Sequence, residues 1–281
     1  MAHHLFRLTQ KLYGVPHLIE RNSFNHITSY LASRNSKMFA PVSEESSIDA
    51  DACTEDPEII GGIAVIEIEG TLTNKDTGFE ALCGGCSYES ITEAVESALE
   101  DGVTTIVLSI NSGGGEAYGV FLAAEEIRKM CDDAGTKLIG YVDGNCASAA
   151  YALGCVCDEL IANPYAEVGS IGVLIALMDS SKHLEQEGYK PVFVSAGAQK
   201  IPFADDGSFK QEFLDDLQVK VDSLYESFVS HVSKHTGLPS EVIKATEAKT
   251  FLANDALSIG LINKIMSNTA FVEYVVATNK G

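Results

Sequence analysis

Ser148 stands in the run Asn145-Cys146-Ala147-Ser148-Ala149-Ala150-Tyr151, a single hydroxyl among small side chains. The run follows a strand-like segment, 137–142, and opens a helix-like one, 147–153. A serine at a helix start lies beside backbone N–H groups that have no partner inside the helix, and such groups can hold the oxyanion of acyl transfer. Capping the helix is the plainer use of serine there, but the flanking alanines leave space for a substrate carbonyl. A glycine-rich loop, Asn111-Ser112-Gly113-Gly114-Gly115, closes the strand-like segment 103–110 and lets further backbone approach the same place. It has neither a Gly-x-x-x-x-Gly-Lys-Ser/Thr nor a Gly-x-Gly-x-x-Gly pattern, which argues against a phosphate cradle.

A nucleophilic serine needs a base. Four of the seven histidines, at 3, 4, 17 and 26, fall near the N-terminus. His231 and His235 lie on a long helical pattern, where solvated or capping roles suffice. His183, in a polar helix-like stretch, is the remaining candidate for a triad. Lys200 is the alternative: it follows the apolar and small-residue approach Phe193-Val194-Ser195-Ala196-Gly197-Ala198, and burial would lower its pKa toward neutrality. The segment Val168-Gly169-Ser170-Ile171-Gly172-Val173 adds a second serine between glycines.

These groups need a scaffold, and the chain alternates strands with helices. Segments 63–69, 103–110, 137–142, 159–162, 170–175 and 191–195 read as strands, and 88–99, 117–131, 147–153 and 177–187 as helices. That alternation implies βαβ crossovers and a largely parallel sheet. The strongest helical pattern is 209–235, with Phe213, Leu217, Val221, Leu224, Phe228 and Val232 on one stripe, stopped by Gly237 and Pro239. Shorter helices are expected at 240–245 and 254–259. Residues 1–58 differ: a possible helix at 17–33 is followed by the acidic run 43–57, which reads as a linker. The expected organisation is a leader or arm at 1–58 and a folded body at 59–281.

The chain has 281 residues and a formal net charge of −21, from 40 acidic and 19 basic side chains. That argues against a nucleic-acid surface. No run of about 18 apolar residues marks a membrane helix, and the N-terminus lacks the pattern of a signal peptide. The seven cysteines, including Cys83/Cys86 and Cys155/Cys157, lack the second pair and histidines of a zinc site and read as reduced, small hydrophobes.

Taken in order, the motifs resemble the signal peptide peptidase A family of serine proteases, and within it the lambda-type bacteriophage capsid assembly (prohead) proteases. The likeness runs over about residues 60–267 and rests on Gly70, 111–115 for the family's Ser-Pro-Gly-Gly loop, 145–149, 168–173, Lys200 in Ser-Ala-Gly-x-x-Lys, and 256–262 for Ala-x-x-x-Gly-Leu. One departure is that Gly113 stands where the family has proline. The resemblance implies an α/β fold of the crotonase/Clp-protease type, a spiral of βαβ units. It implies a Ser–Lys dyad of Ser148 and Lys200, Ser170 orienting the lysine, and an oxyanion hole from Gly114, Gly115 and Ala149. No metal or other cofactor is implied. Phage scaffold and capsid or portal proteins would be the substrates, with the chain itself as a further candidate, in a prohead within the host cytoplasm. The family builds substrate clefts between subunits, so a homo-oligomer is expected. The rival readings are a Clp-type Ser–His–Asp peptidase, a cellular signal-peptide-peptidase-like protease, a crotonase-like acyl-CoA enzyme, and an inactive assembly subunit.

Overall fold

The computed structural model describes residues 12–35, 57–76, 85–179, 181–189 and 192–279. In chain order the elements are β1 (Pro16–Ile19), α1 (Arg21–Asn35), β2 (Glu58–Ile60), β3 (Ile63–Leu72), α2 (Tyr88–Glu100), β4 (Thr105–Glu116), α3 (Val120–Ala134), β5 (Lys137–Ala147), α4 (Ala149–Gly154), β6 (Glu159–Ala162), β7 (Glu167–Gly169), β8 (Leu174–Ile175), α5 (Ser181–Gln186), a 3-10 turn (Ala198–Lys200), α6 (Gln211–Thr236), α7 (Ser240–Lys244), β9 (Thr250–Leu252), α8 (Ala253–Ile259), β10 (Lys264–Ile265) and α9 (Asn268–Thr278).

The sheet centres on β4, which pairs parallel with β3 on one side and β5 on the other. β6 continues it parallel to β5, and β10 parallel to β6. Strand β5 divides its outer edge: residues 139–142 pair with β6 and 145–147 with β7. That division starts the spiral expected of the crotonase/Clp class, and the mixed α/β fold with its largely parallel sheet bears the reading out. Parallel strands covered on both faces are apolar throughout, as β4 illustrates. Its Ile106, Leu108 and Ile110 join a core with Ile91 and Val95 of α2 and Ile127 of α3, while Val107 faces Phe271 and Val275 of α9. Helix α2 begins with a reciprocal Ser87/Ser90 capping box.

Several expected boundaries move. The glycine-rich segment is not a loop: β4 runs on through it to Glu116, with a register shift between Ile110 and Ser112. The segment at 170–175 forms a strand only at its end, as β8. Residues 192–195 form no strand and pair with none of the described strands. The segment read as leader contributes β1 to the sheet. Cys86 is disulfide-bonded, contrary to the reading of all cysteines as reduced, whereas Cys131, Cys146, Cys155 and Cys157 are free thiols. Among the described residues no helix is long and apolar enough to cross a membrane.

The edge formed by β6, β10 and α9 is closed by Glu159. Its carboxylate receives Lys137 Nζ at 2.8 Å, Tyr274 Oη at 2.8 Å, and Lys264 Nζ. Burial pushes this carboxyl up, but those donors outweigh it and bring it down to about 2, from an ordinary 4.5. A carboxyl depressed by folding stabilises the protein above its unfolded pKa and loses that contribution as pH falls through the folded value. Glu159→Gln should therefore unfold at lower urea than the parent at pH 7, with the gap narrowing steadily below pH 4.5. An equal gap at pH 7 and pH 3 would contradict this electrostatic account.

Candidate active site

The site forms where β5 ends. Cys146 pairs with Ser112 of β4, and Ala147 pairs with Gly169 of β7. The chain then turns through Ser148 at φ 59°, ψ −116° into α4. A positive φ is costly for a residue with a Cβ, on the order of 1–3 kcal/mol, and persists only where surroundings over-determine it. Here Ser148 N–H donates to Gly169 O at 2.8 Å and Ser148 O accepts from Ala152 N–H at 3.0 Å. Helix α4 is buried along its whole length. Its Tyr151 Oη donates to Leu261 O at 2.9 Å, and its Ala152 O accepts from His231 Nε2 at 2.9 Å.

Ser148 is 0% exposed and its Oγ has no hydrogen-bond partner. It makes no side-chain cap, so the plain capping role is not realised. A buried hydroxyl without a partner costs about 1–3 kcal/mol, and such groups ask for a functional reason. The Asn145 Oδ1 atom, three residues earlier, is orphaned in the same way.

The glycine segment lies directly against this turn. Gly114 has φ +92°, and a Cβ placed on it would come within 2.9 Å of Ala149 N. Its own N–H is spent on Ser112 Oγ at 3.1 Å, while that hydroxyl donates to Gly70 O at 2.6 Å. Ser112 thus fixes the glycine segment to β3 and occupies the N–H of Gly114, one of the three groups expected to line an oxyanion hole. Asn111 adds a second brace, donating to Glu69 Oε2 at 3.1 Å and accepting from Asn145 N–H at 3.2 Å. Burial raises the Glu69 carboxyl, with Asn111 opposing and Glu67 and Asp143 adding to the rise.

Ser170 is buried at φ 54°, with its N–H donating to Lys249 O at 2.8 Å. It is tied to the Ser148 turn through Gly169, whose carbonyl holds Ser148 N–H. Lys200 is elsewhere. It is exposed, contrary to the burial expected from its apolar approach, and Val192, Phe193 and Val194 before it are 82%, 54% and 98% exposed. The stack Phe193–Phe203–Phe209–Phe213 anchors this segment to the start of α6, whereas α6 meets α4 through His231, near its other end. At about 1.5 Å of rise per residue, Phe213 and His231 are about 27 Å apart. The chain therefore brings together Ser148, Ala149, Gly114, Gly115 and Ser170, and does not bring Lys200 to them. His183 is exposed on α5 and does not replace it.

Sequence reading missed His231. Its Nε2 must carry the proton, because its partner is a carbonyl, and burial pushes its pKa below the usual histidine value. Among the described residues the side chains able to hold a cation are Glu125, His231 and His235, whose ligand atoms lie within 4.8 Å of one another. Here they work as a clamp: His235 Nε2 meets Glu125 Oε1 at 2.7 Å, and Lys234 Nζ meets Oε2 at 2.5 Å. Burial raises the Glu125 carboxyl, but these two donors lower it to about 2. The clamp ties α3 to α6. The histidine spacing of one helical turn was its only signal in the sequence.

Residues 131–279, a stretch that includes Ser148, Ser170 and Lys200, match the model of peptidase family S49. The chain belongs to peptidase family S49. It is 27% identical over 210 residues to the head-tail preconnector protein GP5 of Enterobacteria phage P21, covering 74% of this chain and 42% of that protein. Its identity to the capsid assembly protease C of Escherichia phage lambda is 27% over 213 residues, covering 75% and 48%. To the putative protease MJ0651 of Methanocaldococcus jannaschii it is 28% over 203 residues, covering 65% and 63%. The chain spans less than two thirds of the length of each of these relatives.

Glycine relieves a positive φ at no steric cost. Ser148→Ala removes the orphaned hydroxyl but keeps the strained Cβ, so Ser148→Gly should be more stable than Ser148→Ala by about 1 kcal/mol or more, read as a higher urea midpoint. A Ser148→Gly variant no more stable than Ser148→Ala would show that the turn is not strained.

Proposed function

We propose that this chain is a serine endopeptidase in which Ser148 is the nucleophile and Lys200 the general base, with the two residues supplied by different copies of the chain. The observation that carries the reading is the Ser148 hydroxyl itself: buried, unpartnered, on a strained turn, beside the N–H groups of Gly115 and Ala149. Attack on a substrate carbonyl would form an acyl-serine, with those two N–H groups holding the oxyanion. A lysine amine accepts the Ser148 proton only when neutral, and desolvation is what makes it so. Alone, Lys200 is exposed; docked into a neighbour's site it would lose its water, and the Ser170 hydroxyl would orient the amine. The exposed apolar segment that carries Lys200, and the half-exposed first turns of α6, suit such a homo-oligomeric interface. Residues 59–281 would form the peptidase body. The name of the lambda relative, a capsid assembly protease, supports capsid-related substrates; within that class, phage scaffold and capsid or portal proteins, cut inside a prohead in the host cytoplasm, are the substrates of this reading.

Ser148→Ala and Lys200→Ala should each reduce cleavage of co-expressed capsid and scaffold proteins by at least about 10³-fold, the scale of losing a dyad member. Mixing the two inactive variants should restore part of the activity, because some interfaces would then pair an intact serine with an intact lysine. Full activity in either single variant would end the assignment, and two inactive variants that never complement would end the division of the dyad between copies.

A further inference from the structure

Strand β1 gives this site an occupant. Along Ser112 and the residues before it, one edge of β4 is covered by β5. Where β5 turns away at Ser148, β1 takes its place, antiparallel, with His17 opposite Glu116, Leu18 opposite Gly115 and Ile19 opposite Gly114. The far edge of β1 pairs with β8, which follows Ser170, and Gly14 N–H donates to Ala176 O at 2.8 Å. Pro16, His17, Leu18 and Ile19 are all buried, Leu18 at 0% exposure.

The register decides which carbonyl is presented. Glu20 N–H donates to Gly113 O at 2.7 Å and Ala117 N–H to Pro16 O at 3.2 Å. Hydrogen-bonded pairs recur at every second residue of an antiparallel ladder, so the hydrogen-bonded pair between those two is Leu18 with Gly115. The Gly115 N–H therefore points at Leu18 O. A Cβ on Gly114 would lie 2.2 Å from Leu18 O and 2.9 Å from both Ala147 O and Ala149 N, which places the Leu18 carbonyl on the face of the glycine segment that meets the start of α4. The departure from the family's loop has its counterpart here. A Cβ at Gly113 would stand 2.2 Å from Ser23 Oγ and 2.9 Å from Ser23 Cβ, so a proline there would strike the helix that follows β1.

We propose that Pro16–Ile19 is a resident peptide lying in the slot that receives substrate, so that the slot binds an extended peptide by strand addition, takes leucine on the acyl side of the scissile bond, and stays closed until the arm leaves. This rests on the peptidase reading above. The bond presented is Leu18–Ile19. Attack by Ser148 Oγ on the Leu18 carbonyl carbon would form the ester and break the C–N bond, with the serine proton passing by way of the base to the Ile19 nitrogen. Water would then release Leu18 as the carboxylic acid and restore the Ser148 hydroxyl.

Binding tests the slot without requiring turnover. The probe is a fluorescein-labelled peptide of sequence Tyr-Gly-Val-Pro-His-Leu-Ile-Glu, residues 13–20 of the chain, added to full-length Ser148→Ala protein and followed by anisotropy. Loosening the arm with Leu18→Ala in that background should tighten peptide binding at least tenfold, and a probe with aspartate in place of its leucine should not bind. If Leu18→Ala fails to fold, Ile19→Ala, which removes another buried contact of the arm, should give the same gain. Equal affinity with and without the arm change, or equal binding of the aspartate probe, would overturn the proposal. Failure of the peptidase reading has a different signature: the probe binds the loosened chain with Ser148 intact but is never cut.

Discussion

The turn at Ser148 is the constraint on which the rest depends. Strand β5 pairs with β4 for most of its length and must leave it at one residue, at a φ that a serine adopts only under compulsion. Three consequences follow from that departure. The hydroxyl is buried against backbone instead of facing water or capping the helix. The N–H of Ala149 comes beside the glycine segment. The edge of β4 beyond Ser112 is left for another strand, and β1 fills it. The strain is held from several sides at once, by Gly169 on the Ser148 N–H and by Leu261 and His231 on α4. A turn braced from three elements is rigid, and rigidity is what a preorganised oxyanion site needs.

The same geometry separates the two halves of the proposed dyad. A buried, unpartnered hydroxyl and an exposed amine are each poorly suited to catalysis alone. Pairing them across an interface would satisfy the hydroxyl and dehydrate the amine in one event. Assembly would then be a condition of the proposed activity. The acidic balance of the chain, with a net charge of −21, makes a lone lysine on an exposed segment a distinctive feature of its surface.

Much of this was legible in the sequence, and the exceptions have physical reasons. Segment 159–162 and the helix beginning at Tyr88 emerged as read, because burial on both faces or on one stripe leaves a periodic imprint. That Ser148, Ser170 and the glycine segment adjoin was legible from small residues and glycines. The glycine segment was read as a loop, since glycine carries no strand propensity. It is a strand because β3 and β1 approach its backbone from both sides. Residues 191–195 looked like a strand by composition, but a strand needs an edge to pair with, and pairing is non-local. Strand β1 was missed for the same reason: four residues opening with proline give no periodic signal, and only the vacated edge of β4 explains them. The exposure of Lys200 lay beyond the sequence as well, since apolar neighbours indicate burial without saying whether the cover comes from the same chain.

The most direct test of the central claim is to find which atom becomes acylated. The assembled protein would be treated with a leucine peptide carrying a phosphonate ester that traps serine nucleophiles, then digested and sequenced by mass spectrometry. The account predicts one adduct, on Ser148, absent from Ser148→Ala and strongly diminished in Lys200→Ala. An adduct on any other residue, or active protein that hydrolyses the matching peptide while Ser148 stays unmodified, would contradict it.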